Sequence, residues 1–395
     1  MTYRSFILAA ASVLAIGTLP AAATNAATEK VLYSFPANSY PYGRPDQDSK
    51  GAIYGTGYQL SGTGAIYRLK QKNGQWGYKT VFNLSGSRGA YPFSGVLVDR
   101  STSILYGATL SGGNSNDGTV YSLAPVGRGW NQTVLHSFNG SDGYQPYPLL
   151  LKDKASGNLY GTTHDGGSAG CGTFFQLAQS NGNWTFSNLY SFQGGSSHGC
   201  HPFTQLKQTG KSGILIGSTD DNDNYGRLFQ LKERRGAWSE SVVYSFTGGS
   251  DGGEPYDLDA DGNGTIYGVT VSGGAYGQGV VFQLTPNLRQ WTYSVIYDFR
   301  GGTDGSEGVG INFDSATGYL YGATYMGGTG GRGTVFRLAK SGGSWTETIL
   351  HSFAGGTDGA NPQSRPIVDR TTGALYGTTV FGGNFNGGTV YTVQP

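Results

Sequence analysis

Three of the five histidines in this 395-residue chain, His164, His198 and His201, fall in one short stretch together with Asp165, Asp220 and Asp221. Imidazole beside carboxylate is acid–base equipment at neutral pH. The same donors suit zinc or another divalent ion. Both cysteines, Cys171 and Cys200, lie in the same stretch. Glu254 and Glu307 offer a second chemistry, since a pair of carboxylates flanking a sugar linkage can hydrolyse it. Asp257, Asp259 and Asp261 before Gly262 imitate the start of a calcium loop, but no Glu stands at the twelfth position. No serine-nucleophile elbow, zinc motif or phosphate loop is present. No cofactor is expected, and no residue is assigned to a metal on sequence alone.

Whether these side chains meet depends on what carries them. The six tryptophans, Trp76, Trp130, Trp184, Trp238, Trp291 and Trp345, are spaced by 54, 54, 54, 53 and 54 residues. Leu-Tyr-Gly or a variant recurs with its glycine at Gly55, Gly107, Gly161, Gly217, Gly268, Gly322 and Gly377. Gly-Thr-Val-Phe or a variant starts at Gly64, Gly118, Gly172, Gly226, Gly279, Gly333 and Gly388. A period of this length, with four short strand patterns per copy and no helical pattern, predicts an all-β, seven-bladed β-propeller of four-stranded blades over residues 28–395. The 69 glycines sit at fixed offsets, as turns do. The last copy lacks its fourth strand, and VLYSF at 31–35 is a spare one. The ring is therefore expected to close by pairing 31–35 antiparallel to 388–393, which removes the free sheet edges that an open array would leave. Residues 1–27 read as a secretory signal, with Arg4, a short apolar core and small residues at the end.

In a propeller, the loops between second and third strands share a face with those leading into the next blade. Positions that vary between copies on that face are ligand candidates, because constant ones build the blade. One such position precedes the proline of the first strand, with Gly308 in place of that proline in the sixth copy: Tyr40, Tyr91, Gln145, His201, Glu254, Glu307 and Asn361. Another follows the second strand: Tyr58, Leu110, His164, Asp220, Val271, Tyr325 and Val380. Together they bring His164, Asp165, His198, His201, Asp220 and Asp221 to one part of the rim. Polar and aromatic side chains without aliphatics at the first position suit a polyhydroxylated ligand. Cys171 and Cys200 end two loops on this face, so they are either a disulfide or two free thiols. His136 and His351 replace the tyrosine of Tyr-Ser-Phe and read as packing. Asp142, Asp251, Asp304 and Asp358 read as turn residues.

The order Leu-Tyr-Gly-Thr-Thr (159–163), Gly-Thr-Val-Phe (333–336) and His-Ser-Phe through Gly-Gly-x-Asp-Gly to Pro (351–362) resembles the GloVer-type tandem repeat of secreted bacterial proteins. The resemblance covers residues 31–395 and implies export and a propeller-like array. It supplies no catalytic residues.

Net charge is +1 and charged residues are 13%, which leaves no basic footprint for nucleic acid. No membrane span is expected, and a monomer is. The readings that follow are carbohydrate binding at the ring mouth by Tyr40, Tyr58, Gln145, His198, Asp220, Tyr325 and Asn361, with or without cleavage. A lyase would use His201 or His164 as base and Tyr91 as acid, although the rim shows no arginine cluster for a uronate. A hydrolase would use Glu254 and Glu307. A non-catalytic surface or matrix protein is the alternative. A divalent ion at His164, His201 and Asp220 is a third reading.

Overall fold

A computed structural model describes residues 27–395, apart from 196, 211–212, 222–224 and 288–289. The expected signal segment, 1–27, lies outside these residues except for Ala27. The described residues form seven antiparallel sheets, one per copy of the repeat, with three single 3-10 turns and no longer helix. Blade three is typical: Leu151–Lys152, Leu159–Thr162, Thr173–Ser180 and Asn183–Ser191 pair in that order.

The constant residues explain themselves. A Cβ on the glycine of Leu-Tyr-Gly would overlap the third-strand aromatic of the same blade, for example Phe175 at Gly161 and Phe336 at Gly322. The two threonines that end the second strand and begin the third bond to each other, as in Thr163 and Thr173 at 2.9 Å. The phenylalanine of Tyr-Ser-Phe is buried against the next blade's third-strand aromatic, Phe138 on Phe175 at 5.3 Å and Phe192 on Phe229 at 5.0 Å. The core is accordingly distributed as seven clusters, each straddling two neighbouring blades.

The ring closes as expected. Thr28–Ser34 pairs antiparallel with Thr389–Gln394, from Thr28 opposite Gln394 to Ser34 opposite Thr389. Phe35 then packs on Tyr67 of blade one at 4.9 Å. A β-bulge interrupts the fourth strand of blade six: Phe336 faces Ile349 and Val335 faces His351, so Leu350 is the extra residue and turns inward. The first strands of blades one, three and four are only two residues long, and that of blade seven is split into Ala360–Pro362 and Ile367–Val368. Blades one, three and seven carry a second proline, Pro45, Pro148 or Pro366, ahead of the paired residues. Proline cannot donate to the ladder.

First-strand side chains from distant blades meet at the ring centre. Arg365 reaches Gln205 at 2.8 Å, Asp259 at 3.0 Å and the Leu258 carbonyl at 3.0 Å. Lys207 lies 3.5 Å from Asp259. Burial, with Arg365 close by, pushes the Lys207 ammonium down to about 7. Asp257 and Asp259, which imitated a calcium loop, thus serve Arg365 and also accept the backbone N–H groups of Ile311 and Phe313. Asp261 caps its own hairpin turn through the N–H groups of Asn263 and Thr265.

Candidate functional site at the ring mouth

The residue before the first-strand proline, or before Gly308 in its place in blade six, adopts left-handed backbone in all seven blades. The φ values are 44° at Tyr40, 59° at Tyr91, 52° at Gln145, 58° at His201, and 57° at Glu254, Glu307 and Asn361. This conformation costs a residue with a side chain roughly 1–2 kcal/mol, and glycine avoids that cost. None of the seven is glycine in a chain that has 69. The backbone explains the geometry. The His201 N–H donates to the Cys171 carbonyl of the preceding blade at 3.0 Å, and its carbonyl accepts from the Asp220 N–H at 3.2 Å. The same stitch joins Tyr91 to Thr63 and Leu110, and Gln145 to Asp117 and His164. It sets the two variable positions of a blade side by side. It does not require a side chain, so retained side chains at strained positions point to use.

His164 and His201 come together, with ring centroids 4.7 Å apart. Asp165 lies between them, 2.9 Å from His201 Nδ1 and 3.1 Å from His164 Nδ1. Asp220 lies 3.3 Å from His164 Nε2. Burial works against an imidazolium at His164, but the nearby carboxylates of Asp220 and Asp165 outweigh it and raise the group above its ordinary value. Cys171 and Cys200 form a disulfide, with Cα atoms 4.6 Å apart, which ties the loops carrying this group.

Two members of the expected rim cluster go elsewhere. His198 bonds the buried carboxylate of Glu240 at 2.7 Å. Asp221 accepts the Cys200 N–H at 2.6 Å and lies 3.3 Å from Arg227, which is structural work. Tyr91 packs on Tyr58 at 5.1 Å. The tyrosine whose ring lies beside His164, at 5.1 Å and tilted by 48°, is Tyr147, which the sequence reading passed over.

Asp220, Glu254, Glu307 and Tyr325 line one cleft of about 500 Å³, with Phe203, Tyr256 and Gln363 at its inner side. Burial first, and the charge of Glu254 second, push the Glu307 carboxyl upward. Asn361 donates to the Tyr325 carbonyl at 3.0 Å. Towards the axis the cleft meets a collar of five aromatic rings: Tyr42, Phe93, Tyr147, Phe203 and Tyr256, with successive centroids 5.3, 5.2, 6.1 and 5.2 Å apart. The collar lines a small cavity of about 90 Å³, to which Arg44, Asp257 and Arg365 also contribute. A larger groove of about 670 Å³ lies between blades four and five, around Gln230 and Trp291, but no variable rim residue lines it. His136 and His351 bond Asp142 and Asp358, each at 2.9 Å, as Tyr244 bonds Asp251 at 3.0 Å. They take the tyrosine's place in packing.

The repeat geometry and the sequence now identify the family. The Gloeobacter/Verrucomicrobia repeat matches residues 40–259 and again 254–395. The chain belongs to the Gloeobacter/Verrucomicrobia repeat family. No curated protein matches it. Among solved structures, this repeat protein is similar to a Bacteroides uniformis protein provisionally named a 6-phosphogluconolactonase. The identity is 13% and the TM-score 0.52, over 83% of this chain and 84% of that one. It is also similar to a puromycin-hydrolyzing peptidase of Mycobacterium tuberculosis, at 8% identity and a TM-score of 0.52, over 87% of this chain and 52% of the peptidase. At such identities the likeness is one of fold. A disulfide fits an extracellular or periplasmic repeat protein. Among the described residues no helix is long and apolar enough to cross a membrane.

Proposed function

We propose that this is an exported carbohydrate-active propeller that takes a polysaccharide segment into the ring mouth and cleaves it hydrolytically, with Glu307 as acid and Glu254 as base. The observation that carries the binding is the double ring: an aromatic collar inside seven strained, non-glycine side chains. Aromatic faces stack on sugar rings, and polar tips serve the hydroxyls. The cleft between them adds the chemistry. Two carboxyl groups whose environments differ are how one site supplies both an acid and a base. Here burial and its neighbour's charge favour the protonated form of Glu307.

The lyase route has less support. His164 has carboxylates against both nitrogens, Asp165 at 3.1 Å and Asp220 at 3.3 Å, so neither nitrogen is turned to a substrate proton. Tyr91, its proposed acid, packs on Tyr58. Incubating the protein with a panel of polysaccharides tests the proposal through reducing ends and the absorbance of unsaturated uronates. New reducing ends without that absorbance, lost in Glu307→Gln and in Glu254→Gln, are expected. Glycan binding without turnover would leave a non-catalytic binding protein. Unsaturated products would restore the lyase.

A further inference from the structure

The geometry points to a divalent transition-metal site formed by His164, Asp165 and His201, with Asp220 behind it. One ligand atom from each of the first three lies within 4.8 Å of the others. Asp165 presents Oδ1 to His201 Nδ1 at 2.9 Å and Oδ2 to His164 Nδ1 at 3.1 Å. Two imidazoles and one carboxylate suit zinc or a neighbouring first-row ion and leave positions open for water or a ligand oxygen.

The second tier is present as well. Metal-bound histidines usually give their other nitrogen to a carboxylate, which fixes the ring and strengthens the donor. His164 does so through Nε2, 3.3 Å from Asp220 Oδ2. Its Nδ1, on the side of Asp165, is buried and makes no hydrogen bond of acceptable geometry despite the nearby oxygen.

The support is rigid. The His201 N–H is tied to the Cys171 carbonyl at 3.0 Å, and Cys171 is tied to Cys200. Both imidazoles retain some exposure, 17% and 15% of the side chain. The adjoining cleft carries Asp220, Glu254 and Glu307. A bound dication would reverse the local sign and admit an anionic oxygen, such as a sugar carboxylate.

A second group, Glu29, His351 and Asp358, also brings three donors within reach of one another, but with one imidazole. It serves as the internal control. Zinc chloride is titrated into the exported protein after stripping with EDTA and dialysis, without any glycan, and followed by calorimetry and by thermal melting. One site per chain is expected, with a rise in melting temperature. Asp220→Asn should weaken it by about 10–100-fold, and Asp165→Asn or His201→Gln by more. His198→Gln and His351→Gln should leave it unchanged. No heat and no melting shift at millimolar zinc would overturn the assignment. So would unchanged binding in folded His201→Gln protein, or loss of the site in His351→Gln.

Discussion

Glu347→Gln should make the protein more stable at neutral and alkaline pH. The hydroxyl of Tyr297 in blade five lies 2.5 Å from Asp304 Oδ1 and 2.9 Å from Glu347 Oε2 of blade six. One phenol proton cannot serve two carboxylates, so one acid must bring its own. Burial first, and then the hydrogen bond and charge of Asp304, push the Glu347 carboxyl up to about 9. A carboxyl raised on folding takes up a proton on folding. Its contribution is fully present below the unfolded value of roughly 4.3 and is lost as pH rises toward the folded value.

At pH 7 the unfolded chain has gained about 2.7 pH units of ionisation, at about 1.4 kcal/mol each, that the folded chain lacks. The seat is only partly shielded, so about 2 kcal/mol is the expected remainder. A glutamine amide donates to Asp304 at every pH and removes this term. For a domain of this size about 2 kcal/mol corresponds to about 3 °C in melting temperature. Melting is measured from pH 4.5 to pH 9. The variant should match the wild type at the acid end and exceed it increasingly above neutrality. Parallel curves, or a variant that is weaker throughout, would refute the shared-proton argument.

Replacing Cys171 and Cys200 together by alanine should cost roughly 3.6 kcal/mol, the chain-entropy value for a loop closed over 29 residues, and reduction of the wild type should give the same loss. Equal melting with and without reductant would show that the bridge adds nothing. Tyr121→Phe should stabilise by about 1 kcal/mol, since the hydroxyl is buried without a hydrogen-bond partner. The equivalent residues Phe175, Phe229, Phe282 and Phe336 already lack that hydroxyl. Destabilisation measured by urea midpoint would mean that a buried water satisfies the group.

The blades were legible because each copy states its own rules. The glycine of Leu-Tyr-Gly, the paired threonines and the phenylalanine of Tyr-Ser-Phe recur because each fills a fixed contact. The pairing of the two chain ends was legible from a missing strand and a spare one. The rim was legible where its residues vary, which is how His164, His201, Glu254 and Glu307 were found. That filter also rejected the collar. Tyr42, Phe93, Tyr147, Phe203 and Tyr256 follow the proline in consecutive blades and look like constant packing residues. The charged centre was hidden for another reason. Arg365 meets Gln205 and Asp259 across the ring, and no local pattern records a contact over such separations. His198 misled because proximity along the chain says nothing of direction. Its side chain turns to Glu240, a residue of the next blade's fourth strand.

Variation between copies also needs a second criterion, and the seat two residues after each tryptophan supplies it. Tyr78 there stacks on Tyr33 at 4.0 Å, Phe186 on His136 at 3.6 Å and Tyr293 on Tyr244 at 3.9 Å. Glu347 occupies the same seat and meets Tyr297 and Asp304 instead. In the closing strand Glu29 occupies it, faces His351 and Asp358, and is pushed up to about 7, chiefly by burial. These positions vary as much as the rim does, yet in Tyr78, Phe186, Tyr293, Glu347 and Glu29 the change is answered by a side-chain partner across the blade interface: ring with ring, or acid with a polar group. That is packing. At the rim the contacts common to the copies are made by backbone, the N–H and carbonyl stitch that holds His201 or Gln145 in the same left-handed conformation whatever the side chain. A position whose backbone is fixed by the fold and whose side chain is not can be altered without disturbing the ring. In a propeller made of copies, that freedom separates a residue available to a ligand from one that merely differs.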